Sequence, residues 1–130
     1  KLAVEDKQII LMIVGTGNAT ETLRKYAMKL NYADRMVFVE NVSNEERKLY
    51  FHLFDAFVTG SDFELQGSPY FEAASSEIPI VAKANETTEV LFKDGINAYI
   101  YHDFSEFTGK IEKWKVPKHL PSSKIHFSVM

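Results

Sequence analysis

The chain alternates short apolar runs with stretches in which apolar residues recur three and four positions apart. Ile9-Ile10-Leu11-Met12-Ile13-Val14 is continuous and ends at Gly15, the pattern of a strand buried on both faces of a parallel sheet. Asn18, with Glu21 three residues later, predicts a helix start, and Leu23, Tyr26, Ala27 and Leu30 then carry helical spacing. Met36-Val37-Phe38-Val39 reads as a second strand. Ser43 opens a helix with Glu45, Glu46 and Arg47 in its first turns and Leu49, Tyr50 and Leu53 beyond. Ala56-Phe57-Val58-Thr59 is a third strand, ending at Gly60. A helix over Pro69 to Ser76, a strand over Ile78 to Ala82 and a helix over Glu86 to Phe92 follow. A short strand over Ala98 to Tyr101 and a helix over Glu106 to Lys115 complete the pattern. Strands alternating with helices of about ten residues predict right-handed βαβ units, and so an α/β fold with a doubly wound parallel sheet and helices on both faces.

No repeat, low-complexity segment or linker precedes Lys115, so residues 1–115 read as one domain. Residues 116–130, with Pro117, Pro121, Ser122 and Ser123, read as an extended tail. The chain opens at Lys1 without an initiator Met, and the expectation is a piece of a longer protein.

Composition narrows the function classes. Its 130 residues suffice for one domain with a real core, and the formal charge of −3 offers no clustered basic surface for nucleic acid. With no cysteine, disulfides and thiolate metal sites are excluded. The longest apolar run, Ile9 to Val14, falls far short of the ~18 residues of a membrane span.

Candidate chemistry lies where strands meet helices. Gly15-Thr16-Gly17-Asn18 follows the first strand, the place of a phosphate-binding turn. The third glycine of a dinucleotide fingerprint is Thr20 here, and Glu40 is the one acid near the end of the second strand. A tight strand-to-helix turn is therefore the simpler reading, although such turns face the ligand crevice of a doubly wound sheet. Asp62-Phe63-Glu64 has the form of a divalent-cation pair, a form also common in ordinary loops. His52, His102, His119 and His126 are scattered without metal spacing, and no serine-hydrolase elbow is present.

Glu64-Leu65-Gln66-Gly67-Ser68-Pro69-Tyr70-Phe71-Glu72 is more pointed. Gly67 permits a turn that other residues resist, Ser68 is a suitable N-cap and Pro69 a favoured first helical residue. The positive end of a helix is thus expected at the carboxyl edge of the third strand, with Glu64 before it and Glu72 in its first turn. On spacing alone, a capped helix and a ligand-facing crevice fit equally well.

The wider context resembles a known family. Ser61-Asp62-Phe63-Glu64-Leu65-Gln66-Gly67-Ser68-Pro69-Tyr70-Phe71-Glu72-Ala73-Ala74, followed by Ile78-Pro79-Ile80-Val81-Ala82, resembles the signature of retaining glycosyltransferase family 4. Ile13 to Gly17, Val37-Phe38 with Val42, and Glu89 to Gly95 resemble flanking motifs in the same order, so the likeness covers roughly residues 9–102. Glu64-x-Gln66-Gly67 is also similar to members that glycosylate membrane diacylglycerol. The chain departs from the family pattern at Glu40, Glu77 and Ala98, where glycines are usual, and at Pro69, which has no N–H.

The resemblance implies a Rossmann-like domain, one half of a GT-B architecture, that binds a nucleotide-sugar donor. It implies that the acceptor-binding domain and this domain's usual first strand lie outside the chain, and that this piece alone has no turnover. Glu64 would approach the donor sugar as the catalytic residue. Gly15 and Gly17 would line the donor site, Gly67 and Ser68 would face sugar and diphosphate, Asn41 and Val42 the base, and Glu72 the ribose. The expected donor is a UDP-sugar, with no metal or other cofactor. The acceptor would be a glycan or membrane lipid, and the protein cytoplasmic or peripheral at the inner face of the membrane. A non-catalytic binding or assembly domain, or a nucleotide-sugar epimerase of the same fold, is the alternative.

Overall fold

A computed structural model describes residues 9–62, 67–115 and 124–127. The elements run β1 (Ile10–Val14), α1 (Thr20–Lys29), a 3-10 turn (Ala33–Arg35), β2 (Met36–Val39), α2 (Asn44–Phe51), β3 (Ala56–Thr59) and α3 (Ser68–Ser75). They continue through β4 (Ile80–Lys83), α4 (Glu86–Leu91), β5 (Tyr99–Tyr101), α5 (Phe104–Lys115) and β6 (Lys124–Phe127).

The sheet is parallel throughout, in the order β2-β1-β6-β3-β4-β5. The doubly wound α/β expectation therefore holds, and β3 and β4 in the middle of the sheet are buried on both faces as their unbroken apolar runs require. One face holds Val14, Phe57, Ile80, Ala82 and Ile100, packed with Phe51 of α2 and Tyr70 and Ala73 of α3. The other holds Ala56, Val58, Val81 and Tyr101, packed with Ile111 of α5. On the first face, the rings of Phe51, Phe57, Tyr70 and Phe92 form a chain of tilted and edge-to-face contacts 5.3–6.2 Å apart, the geometry that aromatic quadrupoles favour.

The tail and the start of α1 depart from the sequence expectation. The extended tail contributes β6, which pairs with β1 on one side and β3 on the other. It completes the sheet at its centre, a position that local sequence pattern does not encode. The start of α1 also differs: Ala19, not Asn18, occupies the cap, and no side chain caps it. The Thr20 amide turns back to the Gly17 carbonyl at 3.1 Å instead.

Where capping is local, sequence and structure agree. Ser43 accepts from the Glu46 amide and the Glu46 carboxylate accepts from the Ser43 amide, a complete capping box. That bond holds the Glu46 carboxyl below its ordinary pKa. Asn85 and Thr88 cap α4 in the same reciprocal way.

Candidate functional site

The loops after β1, β2 and β3 leave the sheet at its carboxyl edge, and a short set of contacts ties them together. Gly15 has φ 132°, a conformation open to glycine, and its amide donates to the Val39 carbonyl at 2.9 Å. The Asn41 amide, from the loop after β2, donates to Thr16 Oγ1 at 3.2 Å. Asn41 itself sits in the left-handed region at φ 57°, which asparagine tolerates better than most residues. Val42 is half-buried and packs on the Phe51 cluster, so its side chain serves the core.

The loop after β3 is fixed at both ends. Asn85 Nδ2 donates to the Ser61 carbonyl at 3.0 Å, and Lys83 Nζ pairs with the Asp62 carboxylate. Gly67 closes the loop as the N-cap of α3, at φ 65°. Glu64 lies between these anchors, outside the described residues.

The helix begins one residue earlier than expected. Gly67 is the cap, and Ser68 and Pro69 are the first two helical residues, because the left-handed backbone of Gly67 makes the turn. A Cβ there would also stand 3.3 Å from Leu91 Cδ1. Pro69 has no N–H, and the Tyr70 and Phe71 amides both point to the Gly67 carbonyl, at 3.0 and 3.2 Å. Among the described residues, Ser68, exposed, therefore carries the amide of the first turn that remains open to a ligand. With the cap displaced, Glu72 falls just beyond the first turn rather than within it.

Glu72 is held from another helix. Arg47 Nη2, on α2, donates to Glu72 Oε1 at 3.2 Å, and the two side chains are 25% and 13% exposed. Glu72 Oε2 and Arg47 Nε are buried and have no hydrogen-bond partner among the described residues.

With these loops on one edge, the relatives of the chain become informative. The chain matches the family described as Glycosyl transferases group 1 over residues 1–120. The chain belongs to that family. It is 27% identical over 107 residues to alpha-monoglucosyldiacylglycerol synthase of Streptococcus pneumoniae, a match spanning 82% of this chain and 24% of that protein. The same-named synthase of Acholeplasma laidlawii is 26% identical over 95 residues, 73% of this chain and 24% of that one. The GDP-mannose-dependent alpha-(1-6)-phosphatidylinositol monomannoside mannosyltransferase of Mycobacterium tuberculosis is 34% identical over 79 residues, 55% of this chain and 20% of the relative. The chain thus spans about a quarter of the length of the two synthases. No solved structure matches it.

Two of the residues that depart from the expected pattern, Glu77 and Glu40, have local explanations. Glu77 adopts φ 56°, the left-handed conformation a glycine would take without strain, in the tight turn between α3 and β4. The Glu40 carboxylate is taken by Arg24 Nη2 at 2.7 Å, and Arg24 stacks over Phe38 at 4.2 Å. That pairing offsets the negative charge Glu40 places near the β1 and β2 loops.

Thr16, Arg24, Arg47 and Lys83 are site-building residues that the sequence reading did not single out. Their partners are 16 to 25 residues away in the chain, beyond the reach of spacing rules. A shallow cleft of about 370 Å³ extends the carboxyl edge past β4 and β5, lined by Gly60, Lys83, Tyr101, His102, Phe104 and Phe107. Tyr101 is no acid–base candidate there: its hydroxyl donates to the Thr59 carbonyl at 2.9 Å, and burial, with Tyr70 and Asp62 nearby, pushes it up to about 12. No group of metal-ligating side chains is found, and no helix is long and apolar enough to cross a membrane, among the described residues.

Proposed function

We propose that this chain is the donor-binding part of a retaining glycosyltransferase that moves a sugar from a nucleoside diphosphate sugar to a lipid acceptor. One observation carries the reading: the Asn41–Thr16 hydrogen bond joins the loops after β1 and β2 on the edge where α3 presents its N-terminus. In open α/β sheets this edge is where nucleotides bind, and a helix start favours anionic groups. The diphosphate meets the Gly15–Gly17 turn and the Ser68 amide, and the loop at Asn41 meets the base. Glu72 accepts from the ribose hydroxyls, and Glu64 stabilises positive charge at the anomeric carbon. Backbone amides and a helix dipole suit this task without a metal ion.

The lipid acceptor is inferred from the relatives, whose names specify diacylglycerol and phosphatidylinositol monomannoside products or substrates. Uracil is the proposed base, and a cytoplasmic protein at the membrane surface the proposed setting. Titration of the labelled protein with UDP, GDP and ADP tests the site. UDP is expected to shift the amide signals of Gly15, Asn41, Gly67 and Ser68, and Glu72→Ala to weaken that binding. If none of the three nucleotides moves these signals, the donor-site reading fails.

A further inference from the structure

The loops of the candidate site come from two separate pieces of sheet. Gly15, Thr16, Gly17 and Asn41 follow β1 and β2, whereas Ser61, Asp62, Gly67 and Ser68 follow β3. The bonds that lock these loops stay within one piece or the other. Gly15 bonds to Val39 and Asn41 to Thr16 in the first, while Lys83 pairs with Asp62 and Asn85 bonds to Ser61 in the second. Among the described residues, β6 supplies the one ladder between the two pieces. Its last residue, Phe127, pairs with Ile13 and with Val58, each two residues before the glycine at which its strand ends. Adjacent strands lie about 4.8 Å apart, so β6 keeps the Gly15 turn and the start of the β3 loop roughly 10 Å from each other. A nucleoside diphosphate that touches both loops needs that spacing fixed.

We propose that β6 is a docking strand whose attachment is coupled to nucleotide binding. The nucleotide binds the form in which residues 124–127 bridge β1 and β3, and once bound it holds them there. Release of β6 parts the Gly15 and Asn41 loops from the Ser68 amide, so neither piece alone keeps a complete diphosphate site. Docking and binding then strengthen each other by the same factor. The composition of β6 makes it the strand to release. β1 and β3 read Ile-Leu-Met-Ile-Val and Ala-Phe-Val-Thr, whereas β6 reads Lys-Ile-His-Phe. Strands inside a parallel sheet are ordinarily apolar throughout, and Lys124 and His126 break that rule at its centre. β6 also lies beyond residues 1–120, the stretch that matches the glycosyl transferase family. The proposal rests on the donor-site reading above, and adds the element that assembles that site.

The test is amide hydrogen exchange of the full chain, read by NMR with and without UDP. In the free protein, the amides of residues 125–127 are expected to exchange at least about tenfold faster than those of Val58 and Val81, because β6 opens without the rest of the sheet. UDP at a hundred times its Kd should slow them by about a hundredfold. Ile125→Asn should weaken UDP binding in proportion to the molecules left with β6 docked, a tenth docked giving about a tenfold loss. Ile100→Ala is the control: it lies in β5, with β3 and β4 between it and β6. It should lower overall stability and leave UDP affinity within about twofold, so a general weakening of the fold does not imitate the result. Exchange at residues 125–127 no faster than at Val58 and Val81 would overturn the coupling, as would fast exchange that bound UDP does not slow. Both results leave the donor site in place. If UDP, GDP and ADP all fail to bind, the donor-site reading falls and the coupling falls with it.

Discussion

The amide of Asn41 donates to the hydroxyl of Thr16 across 25 positions of sequence. It is the contact that makes one surface of two loops belonging to different strands. Thr16→Val keeps the shape and removes the acceptor. The freed amide lies at an exposed position and can turn to water, so global stability should change by less than about 0.5 kcal/mol. Nucleotide affinity should fall by roughly threefold to tenfold, equivalent to about 0.5–1.5 kcal/mol, as Asn41 loses its anchor. Calorimetric titration with UDP beside a urea melt separates the two effects. Unchanged affinity would mean that the loops do not act together.

Gly67 combines a left-handed backbone with a close neighbour. Its φ is 65°, and a Cβ would stand 3.3 Å from Leu91 Cδ1. Gly67→Ala is therefore expected to destabilise the fold by at least ~1–2 kcal/mol, the cost of the left-handed conformation alone. Gly67→Asn isolates the steric part, since asparagine tolerates the backbone yet brings the same Cβ. Urea midpoints for the two variants give the comparison, and an Ala variant as stable as the parent would contradict it.

His102 and Glu106 form a pH-sensitive pair at the start of α5. The Glu106 carboxylate bonds His102 Nδ1 at 2.9 Å and raises the imidazole above its ordinary pKa, with Glu89 and Asp103 adding to the effect. In return, His102 lowers Glu106. The histidine contribution to stability is thus fully present below the ordinary imidazole value, and it is lost as pH rises through the raised one. The Glu106 contribution is present above the ordinary carboxyl value and lost as pH falls through the lowered one. An NMR titration should show the His102 ring titrating above a free histidine, and Glu106→Gln should bring it back. A ring that titrates normally in the parent protein would remove the pair.

Sequence disclosed the elements whose causes are local. The runs Met36–Val39 and Ala56–Thr59 emerged with the bounds their apolar residues suggest, and Ser43 with Glu46 formed the helix start that their three-residue spacing predicts. What it did not disclose depends on partners elsewhere. The shift of the α3 cap from Ser68 to Gly67 follows from a backbone conformation, and a capping preference ranks serine above glycine. The Arg47–Glu72 pair joins residues on separate helices, and no period or motif relates them. Lys124–Phe127 alternates polar and apolar residues, as a half-exposed strand would, yet it is flanked on both sides by other strands. The candidate site was legible as a set of loops because their order along the sheet fixes them to one edge. The side chains that lock those loops were not.

The position of β6 bears on how the molecule is made. The pair β2-β1 and the trio β3-β4-β5 share no ladder except through residues 124–127. Along the chain, both halves of the sheet are synthesised before the strand that joins them. Until it docks, β1 and β3 each present an unpaired parallel edge, the surface through which sheets recruit foreign strands. Closing the sheet also requires a contact between Ile10 and Lys124, residues far apart in sequence, and such contacts slow folding. Until residues 124–127 are in place, β2-β1 and β3-β4-β5 are two separate partial sheets exposed to mispairing.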